Sequence, residues 1–370
     1  MKTRTGTGWK SFRPGADMAR EGSGRVAYAD LLRVFAATAV IVLHVSGGWL
    51  GAVSVVSSDF VVLNLWDGLC RWCVPVFVML SGMFLLDPKH ALSPPSLLRH
   101  MLRLAAAFVF WGMFYLLLHR YLESGSVSLT DWSAAFHSLL RGNTEQHLWF
   151  LPMMLGLYLI TPVLRAFVQG ARQGSFLWFF LLTAVFTFIL PTLLALRPSQ
   201  TLSLWYGRLQ LHLVLGYVGY YVLGYYLQAF TINRFVEYLI YLCGVLGAVG
   251  TVWGTLILSR RAGGLVDTLY SYFSPNVAAM AVAVLVLSRY VLGVSDERSR
   301  REHLSRAAAY SFGVYLVHVA FLLLLREHGL STPSVGPLAG VPLVSLAILI
   351  PSFFVSWLLH HIPLVGRYLT

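Results

Sequence analysis

Long apolar runs alternate with short polar ones along almost the whole chain. A membrane crossing needs about 20 mostly apolar residues. Ten runs meet that length, over residues 28–49, 61–86, 104–121, 148–168, 175–195, 210–229, 235–258, 274–292, 308–325 and 341–361. Proline punctuates the gaps, with Pro88, Pro94 and Pro95 after the second run and Pro333 and Pro337 before the tenth. The pattern predicts an all-α integral membrane protein, a bundle of about ten transmembrane helices. Residues 1–26 are instead polar, basic and rich in Gly and Ser. They lack the apolar stretch of a cleavable signal, which predicts a loosely ordered tail before a single membrane domain over 27–370. No repeat of fixed period is visible.

Composition strengthens this reading. Of 370 residues 57% are hydrophobic and only 11% charged, with a mean hydropathy of +0.70, whereas soluble domains are about one quarter charged. Aromatic residues make up 14%, and Trp and Tyr near segment ends suit the headgroup level. The formal charge of +12 would suggest nucleic acid in a soluble protein. Here Lys and Arg gather in the tail and in alternate loops, which predicts cytoplasmic N- and C-termini and no nucleic-acid partner. Cys70, Cys73 and Cys243 all lie inside apolar runs, so no disulfide framework is expected. The C-x-x-C of Cys70 and Cys73 has no ligand companions nearby and reads as packing; no metal site is expected.

Charge inside the runs is the strongest signal. A charged side chain at the bilayer centre costs about 3 kcal/mol on insertion scales, so such residues usually face the bundle interior and mark sites or pathways. The first run reads "RVAYADLLRVFAATAVIVLH" from Arg25 to His44. At about 100° and 1.5 Å per residue, Arg33 and His44 lie three turns plus about 20° apart and about 16 Å along the axis. They share a face at different depths, with Asp30 one turn below Arg33. Asp30 and Arg33 suit an interfacial ion pair that snorkels to water. His44 suits either a packing histidine with one hydrogen bond or a general base for a hydroxyl, since an imidazole titrates at about 6.5.

The second run contains "NLWDGLCRWCVPVFVMLSG". Asp67 and Arg71 stand at i, i+4, either neutralising each other or forming part of a site. Pro75 predicts a kink, and Ser81 with Gly82 a close helix approach. The fourth run opens "EQHLWFLPMMLGLYL", placing His147 and Trp149 at the outer surface, where the aromatic belt accounts for the tryptophan. In "YSFGVYLVH" of the ninth run, Ser311, Tyr315 and His318 form a polar stripe, with His318 near mid-membrane; a packing hydrogen bond is the plainer reading. "SLLRHMLRLAAA" sets Arg99 and Arg103 one turn apart where the third helix begins, as membrane anchors or as a phosphate clamp. The basic stretch "SDERSRREHLSR", from Ser295 to Arg306, reads as a solvated loop.

Four of these stretches, "YADLLRVFAATAVIVLH", "RWCVPVFVMLSG", "HLWFL" and "SFGVYLVH", occur in an order that resembles the membrane acyltransferase-3 family, whose members O-acylate surface polysaccharides and other acceptors in bacteria. The resemblance is to stand-alone members, such as enterobacterial common antigen O-acetyltransferases, more than to relatives with a fused hydrolase-like domain, which predicts a stand-alone enzyme. In one respect it departs from the family: two arginines there are separated by two residues, whereas three separate Arg99 from Arg103.

The resemblance implies an O-acyltransferase of the bacterial inner membrane, with acyl-CoA, acetyl-CoA first among the choices, as co-substrate and no tightly bound cofactor. The acceptor would be a polysaccharide or lipid-linked glycan, with membrane lipids around it and a homo-oligomer or polysaccharide-assembly partners left open. It implies catalytic roles for His44, Arg33 and Asp30. Arg71, Asp67, His147, Trp149, Ser311, Tyr315 and His318 would bind substrate, and Arg99 and Arg103 the CoA phosphates. Intramembrane Asp, Arg and His also build transport paths, so the alternative is a secondary transporter or exporter of a glycan or lipid.

Overall fold

A computed structural model describes residues 26–209, 216–292, 298–330, 332–363 and 365–369. The predicted tail lies outside them except for Val26, as do 210–215 of the sixth predicted run and Ser295 to Glu297 of the basic stretch. The described chain is helical and contains no strand. Nine helices among the described residues are long and apolar enough to cross a membrane. The sixth predicted run is seen from α10 (Tyr217–Ala229) onward.

The first crossing is α1 (Ala27–Leu50). The second divides into α2 (Ser58–Cys70) and α3 (Cys73–Leu85). Pro75 explains the break: it has no N–H to give the carbonyl of Arg71, four residues back, so the helix restarts just before it. The third crossing, α4 (Pro94–Ser124), begins ten residues earlier than the apolar run. Ser93 caps it by accepting from the Ser96 N–H at 3.3 Å, and Pro94 and Pro95 occupy the first turn, where no N–H is needed. Prolines that read as loop punctuation therefore start a helix.

An amphipathic helix, α5 (Leu129–Leu140), follows in the loop, held by a capping box of Ser128 and Asp131. A 3₁₀ turn, Gln146–Trp149, then leads into α6 (Phe150–Gly170). The fifth crossing comprises α7 (Gln173–Thr183), a wide π turn over Ala184–Ile189, and α8 (Leu190–Leu196). Pro191 cannot donate to the Thr187 carbonyl, which accounts for the local widening. After α9 (Gln200–Arg208) and α10 come α11 (Arg234–Ala262), α12 (Pro275–Tyr290), α13 (Arg298–Glu327), α14 (Thr332–Val335), α15 (Pro337–His361) and α16 (Val365–Tyr368). The basic stretch expected as a loop is helical from Arg298 onward.

The centre of the bundle is α1, which packs against α2, α3, α12, α13 and α15. At the crossing of α3 and α10, a Cβ on Gly82 would lie 1.8 Å from the Tyr221 carbonyl oxygen, and one on Gly224 1.9 Å from that of Met79. Only glycine lets two backbones approach so closely. Side-chain amides join other helices: Asn64 donates to the Val252 carbonyl at 2.9 Å, and Asn276 to Thr251 Oγ1 at 2.8 Å. Such bonds keep these amides from facing lipid unpaired.

Replacing Gly82 by valine must push α3 and α10 apart, and overpacking of this kind costs about 1–3 kcal/mol. Gly82→Val is expected to lower the melting temperature of the protein in detergent, whereas Gly156→Ala, which meets open space on α6, leaves it near wild type. Equal melting temperatures would show that the glycine crossing is not limiting.

Candidate active site

Three imidazoles meet inside the bundle, brought together by the packing of α1 on α13 and by the 3₁₀ turn before α6. The ring centre of His318 lies 5.2 Å from that of His44 and 5.2 Å from that of His147, and His44 and His147 are 6.3 Å apart. Two tyrosines fix this arrangement. Tyr315 donates its hydroxyl to the His147 carbonyl. Tyr115, on α4, donates to the Leu316 carbonyl at 2.6 Å and accepts from the Ala320 N–H at 3.2 Å. The rings of Tyr115 and Tyr315 flank His147 at 5.0 and 5.6 Å.

The hydrogen bonds also define where protons sit. His318 Nδ1 lies 2.7 Å from the Tyr315 carbonyl oxygen, which can only accept. The neutral ring therefore carries its proton on Nδ1 and a lone pair on Nε2. That Nε2 has no partner among the described residues, nor has either ring nitrogen of His147. Buried polar atoms are nearly always satisfied. Several bare nitrogens in one cluster mark a place where a further molecule completes the bonding.

Two cavities approach this cluster. The first, about 290 Å³, is lined at its polar end by Arg33, Ser81, His100, Arg103 and Tyr158, and at its inner end by Val40, Phe150 and Tyr315. The second, about 630 Å³, is lined by His44, Asp67, Arg71, His147, Trp149 and Arg326, among others. No residue lines both. A single packed layer separates them: one turn of α1 from Val40 to His44, one turn of α13 from Tyr315 to Val319, and the step from Phe150 to Trp149.

The predicted residues divide between these spaces. Arg33, Arg103, Ser311 and Tyr315 line the first cavity, and His44, Asp67, Arg71, His147 and Trp149 the second. His318 is buried between them. Asp30, also buried, accepts from Arg33 at 2.8 Å, and the Arg33 guanidinium lies 4.9 Å from the ring centre of Phe84. Arg71 donates to Asp67 Oδ1 and rests on Tyr270, 4.2 Å from its ring centre. The Ser311 hydroxyl donates to the Ala308 carbonyl at 2.7 Å. Arg99 is exposed and bonds the Pro95 carbonyl at 3.4 Å, outside the first cavity.

One placement corrects the sequence reading. His147 was expected at the outer surface, but it is 2% exposed. The tight 3₁₀ turn carries it inward beneath Tyr115 and Tyr315, and leaves Trp149 in the cavity wall. Trp149 also does more than meet headgroups: its ring lies 6.0 Å from Tyr272 and 5.6 Å from Tyr217, forming an aromatic wall. Three residues escaped the sequence reading. Tyr158 hides among apolar neighbours, His100 stands beside Arg99 in a basic stretch that reads as anchoring, and Arg326 ends a leucine run like an ordinary anchor. The spacing of His100 and Arg103 offered a signal, since both lie on the cavity face three residues apart.

Cys70 and Cys73 flank the break between α2 and α3 and are unpaired by disulfide. Among the described residues no three His, Cys, Asp or Glu side chains are placed to hold a metal ion.

The multi-pass helical bundle thus holds partnerless imidazole nitrogens beside two separate cavities. The chain belongs to the acyltransferase-3 family, whose model, described as an acyltransferase domain, matches residues 26–361. Its class is therefore membrane acyltransferase, and the transporter alternative is set aside. No curated protein and no solved structure shows significant similarity to it.

The His318 hydrogen bond can be read directly. Solid-state NMR of protein labelled with ¹⁵N-histidine is expected to show a neutral ring protonated at Nδ1 and bare at Nε2, with that signal missing in His318→Gln. A bare Nδ1 at His318 would contradict the assignment.

Proposed function

We propose that the protein moves an acyl group, acetyl in the first instance, from acyl-CoA in the first cavity to a hydroxyl of a cell-surface or lipid-linked glycan in the second. The observation that carries this reading is that two separate cavities flank one imidazole cluster, the second lined by His44 and His147 and the first reaching Tyr315, which bonds the His147 carbonyl. In the bacterial inner membrane, with a cytoplasmic N-terminus, the first cavity would face the compartment that makes acyl-CoA. Lipid-linked glycans, such as those acetylated by enterobacterial common antigen enzymes, suit the opposite side.

A cavity of about 290 Å³ suits the pantetheine arm of CoA better than its nucleotide. Arg103 and His100 at the polar end are placed for the phosphates, where a guanidinium fork is effective. Arg33 lies about 16 Å of helix rise from His44, so we assign it to the donor's arm and phosphates rather than to charge developing at the carbonyl. Asp30 orients it. Ser311 and Tyr315 border the thioester's path, and Trp149 with Tyr272 offers aromatic faces to a sugar ring.

His44 then serves as general base. The acceptor oxygen attacks the thioester carbonyl while its proton passes to His44; the C–O bond forms, the C–S bond breaks, and the proton leaves with the CoA thiolate. The His318 ring, 5.2 Å away centre to centre, packs against His44 and holds the base in place. His147 completes the pocket around the reacting hydroxyl.

General base catalysis is worth about 100-fold or more. His44→Ala should therefore lower acetyl transfer from labelled acetyl-CoA by at least that factor, with expression and membrane insertion intact. Retention of most activity would remove His44 from the chemistry. The donor side separates its two arginines: Arg103→Ala should raise the KM for acyl-CoA about tenfold, the scale of one charge-assisted contact, while Arg99→Ala leaves it near wild type. The opposite ranking would move the donor site out of the first cavity.

A further inference from the structure

The second cavity holds a charge arrangement that the transfer step does not use. Gly47 and Gly48 lie on α1 one turn beyond His44, and a charged group fills the space each missing side chain leaves. A Cβ on Gly47 would meet Asp67 Oδ2 at 2.5 Å, and one on Gly48 would meet an Arg326 guanidinium nitrogen at 2.1 Å. These two groups thus flank the helix face directly above His44.

Their bonding is incomplete in complementary ways. Asp67 is fully buried, and its Oδ1 takes the Arg71 bond while Oδ2 has no partner. Arg71 is committed to Asp67 and to the Tyr270 ring. The Arg326 guanidinium makes no hydrogen bond or ion pair with any described residue and lies 5.6 Å from the ring centre of Trp49. It stands in the last turn of α13, where the helix dipole favours a cation.

No nearby acid among the described residues forms an ion pair with it, although Glu145 is close enough to attract it. Glu145, also in the cavity wall, is bonded to His119 at 2.6 Å. Glu123, 3.8 Å from Arg120, and Glu327 line an adjoining recess that Arg326 also borders. Those acids repel an anion from the recess, and leave the face over Gly48 open to one.

We propose that the second cavity selects a sugar bearing an anionic substituent, a carboxylate or phosphate, close to the hydroxyl that reacts. Arg326 pairs with the anion, and Asp67 Oδ2 accepts from a hydroxyl of the same sugar. A guanidinium supplies a charge-assisted, two-pronged contact to either oxyanion, and a buried carboxylate oxygen supplies the acceptor that a sugar hydroxyl needs. Arg326 is thereby a specificity-determining residue. The inference rests on the acyl-transfer reading for its hydroxyl, but its anion site stands on geometry alone.

The test uses the full chain in detergent with three probes: methyl glucoside, methyl glucuronoside and glucose 6-phosphate. Thermal stabilisation and acetyl transfer are measured separately. Wild type is expected to be stabilised more by the anionic sugars and to acetylate at least one of them with a kcat/KM about tenfold above the neutral one, as one charge-assisted contact implies. Arg326→Gln should bring both preferences to about one, and Arg326→Lys should keep part of them. Which anionic probe responds identifies carboxylate or phosphate as the group recognised.

Anion preference that persists in Arg326→Gln, or a wild type indifferent to charge, overturns the inference. If acetyl moves equally to neutral and anionic sugars, the acyl-transfer reading stands and the inference falls. If Arg326-dependent stabilisation appears and no acetyl moves, the anion site stands and the acyl-transfer reading falls.

Discussion

Arg71 enters the bundle midway along a membrane crossing, and the second cavity takes its form from how that charge is held. A guanidinium in hydrocarbon requires a partner within reach. Asp67, one turn earlier, supplies it, and the Tyr270 ring covers the remaining face. Tyr270 in turn bonds Asn64, which bonds the Val252 carbonyl on α11. The pair can form where it does because Pro75 ends the first half of the crossing at that level, and because Gly47 leaves room for the Asp67 carboxylate. One buried charge thus links α1, α2 and α11 around the second cavity.

The first cavity solves the same problem differently. Asp30 and Arg33 neutralise each other along one helix, and the Arg165 guanidinium donates to the carbonyls of Leu85, Asp87 and His90 at 2.7, 3.1 and 2.8 Å. That contact ties α6 to the turn after α3, and so sets where α4 begins and where His100 and Arg103 can point. Between the two sides the tyrosines hold the imidazoles through backbone carbonyls. Their positions depend on helix packing more than on the identity of their neighbours.

Much of this was legible in the sequence. Apolar runs of membrane length fixed the helices, and the helical spacing of Arg33 and His44 put them on one face at two depths; the structure divides that face between two cavities. Boundaries were harder, since Pro94 and Pro95 can end a segment or begin one, and only the Ser93 cap decides. The inward turn of His147 was invisible because a 3₁₀ turn leaves no periodic trace over four residues. Arg326 was hidden because a cation at a helix end is ordinary on both sides of a membrane. Its importance arises only from Gly48, on another helix, 278 residues earlier in the chain.

The packed layer between the cavities has an electrical consequence. A voltage across a membrane falls mainly over the stretch that water cannot enter, and here two cavities thin that stretch to about one helical turn. Val40, Phe150 and Tyr315 bound it on one side and His44 on the other. A unit charge crossing the full drop gains or loses about 2.3 kcal/mol per 100 mV. With water in both cavities, the imidazoles would sit at the edge of a focused field, and a charge moved from one cavity to the other would cross most of the drop.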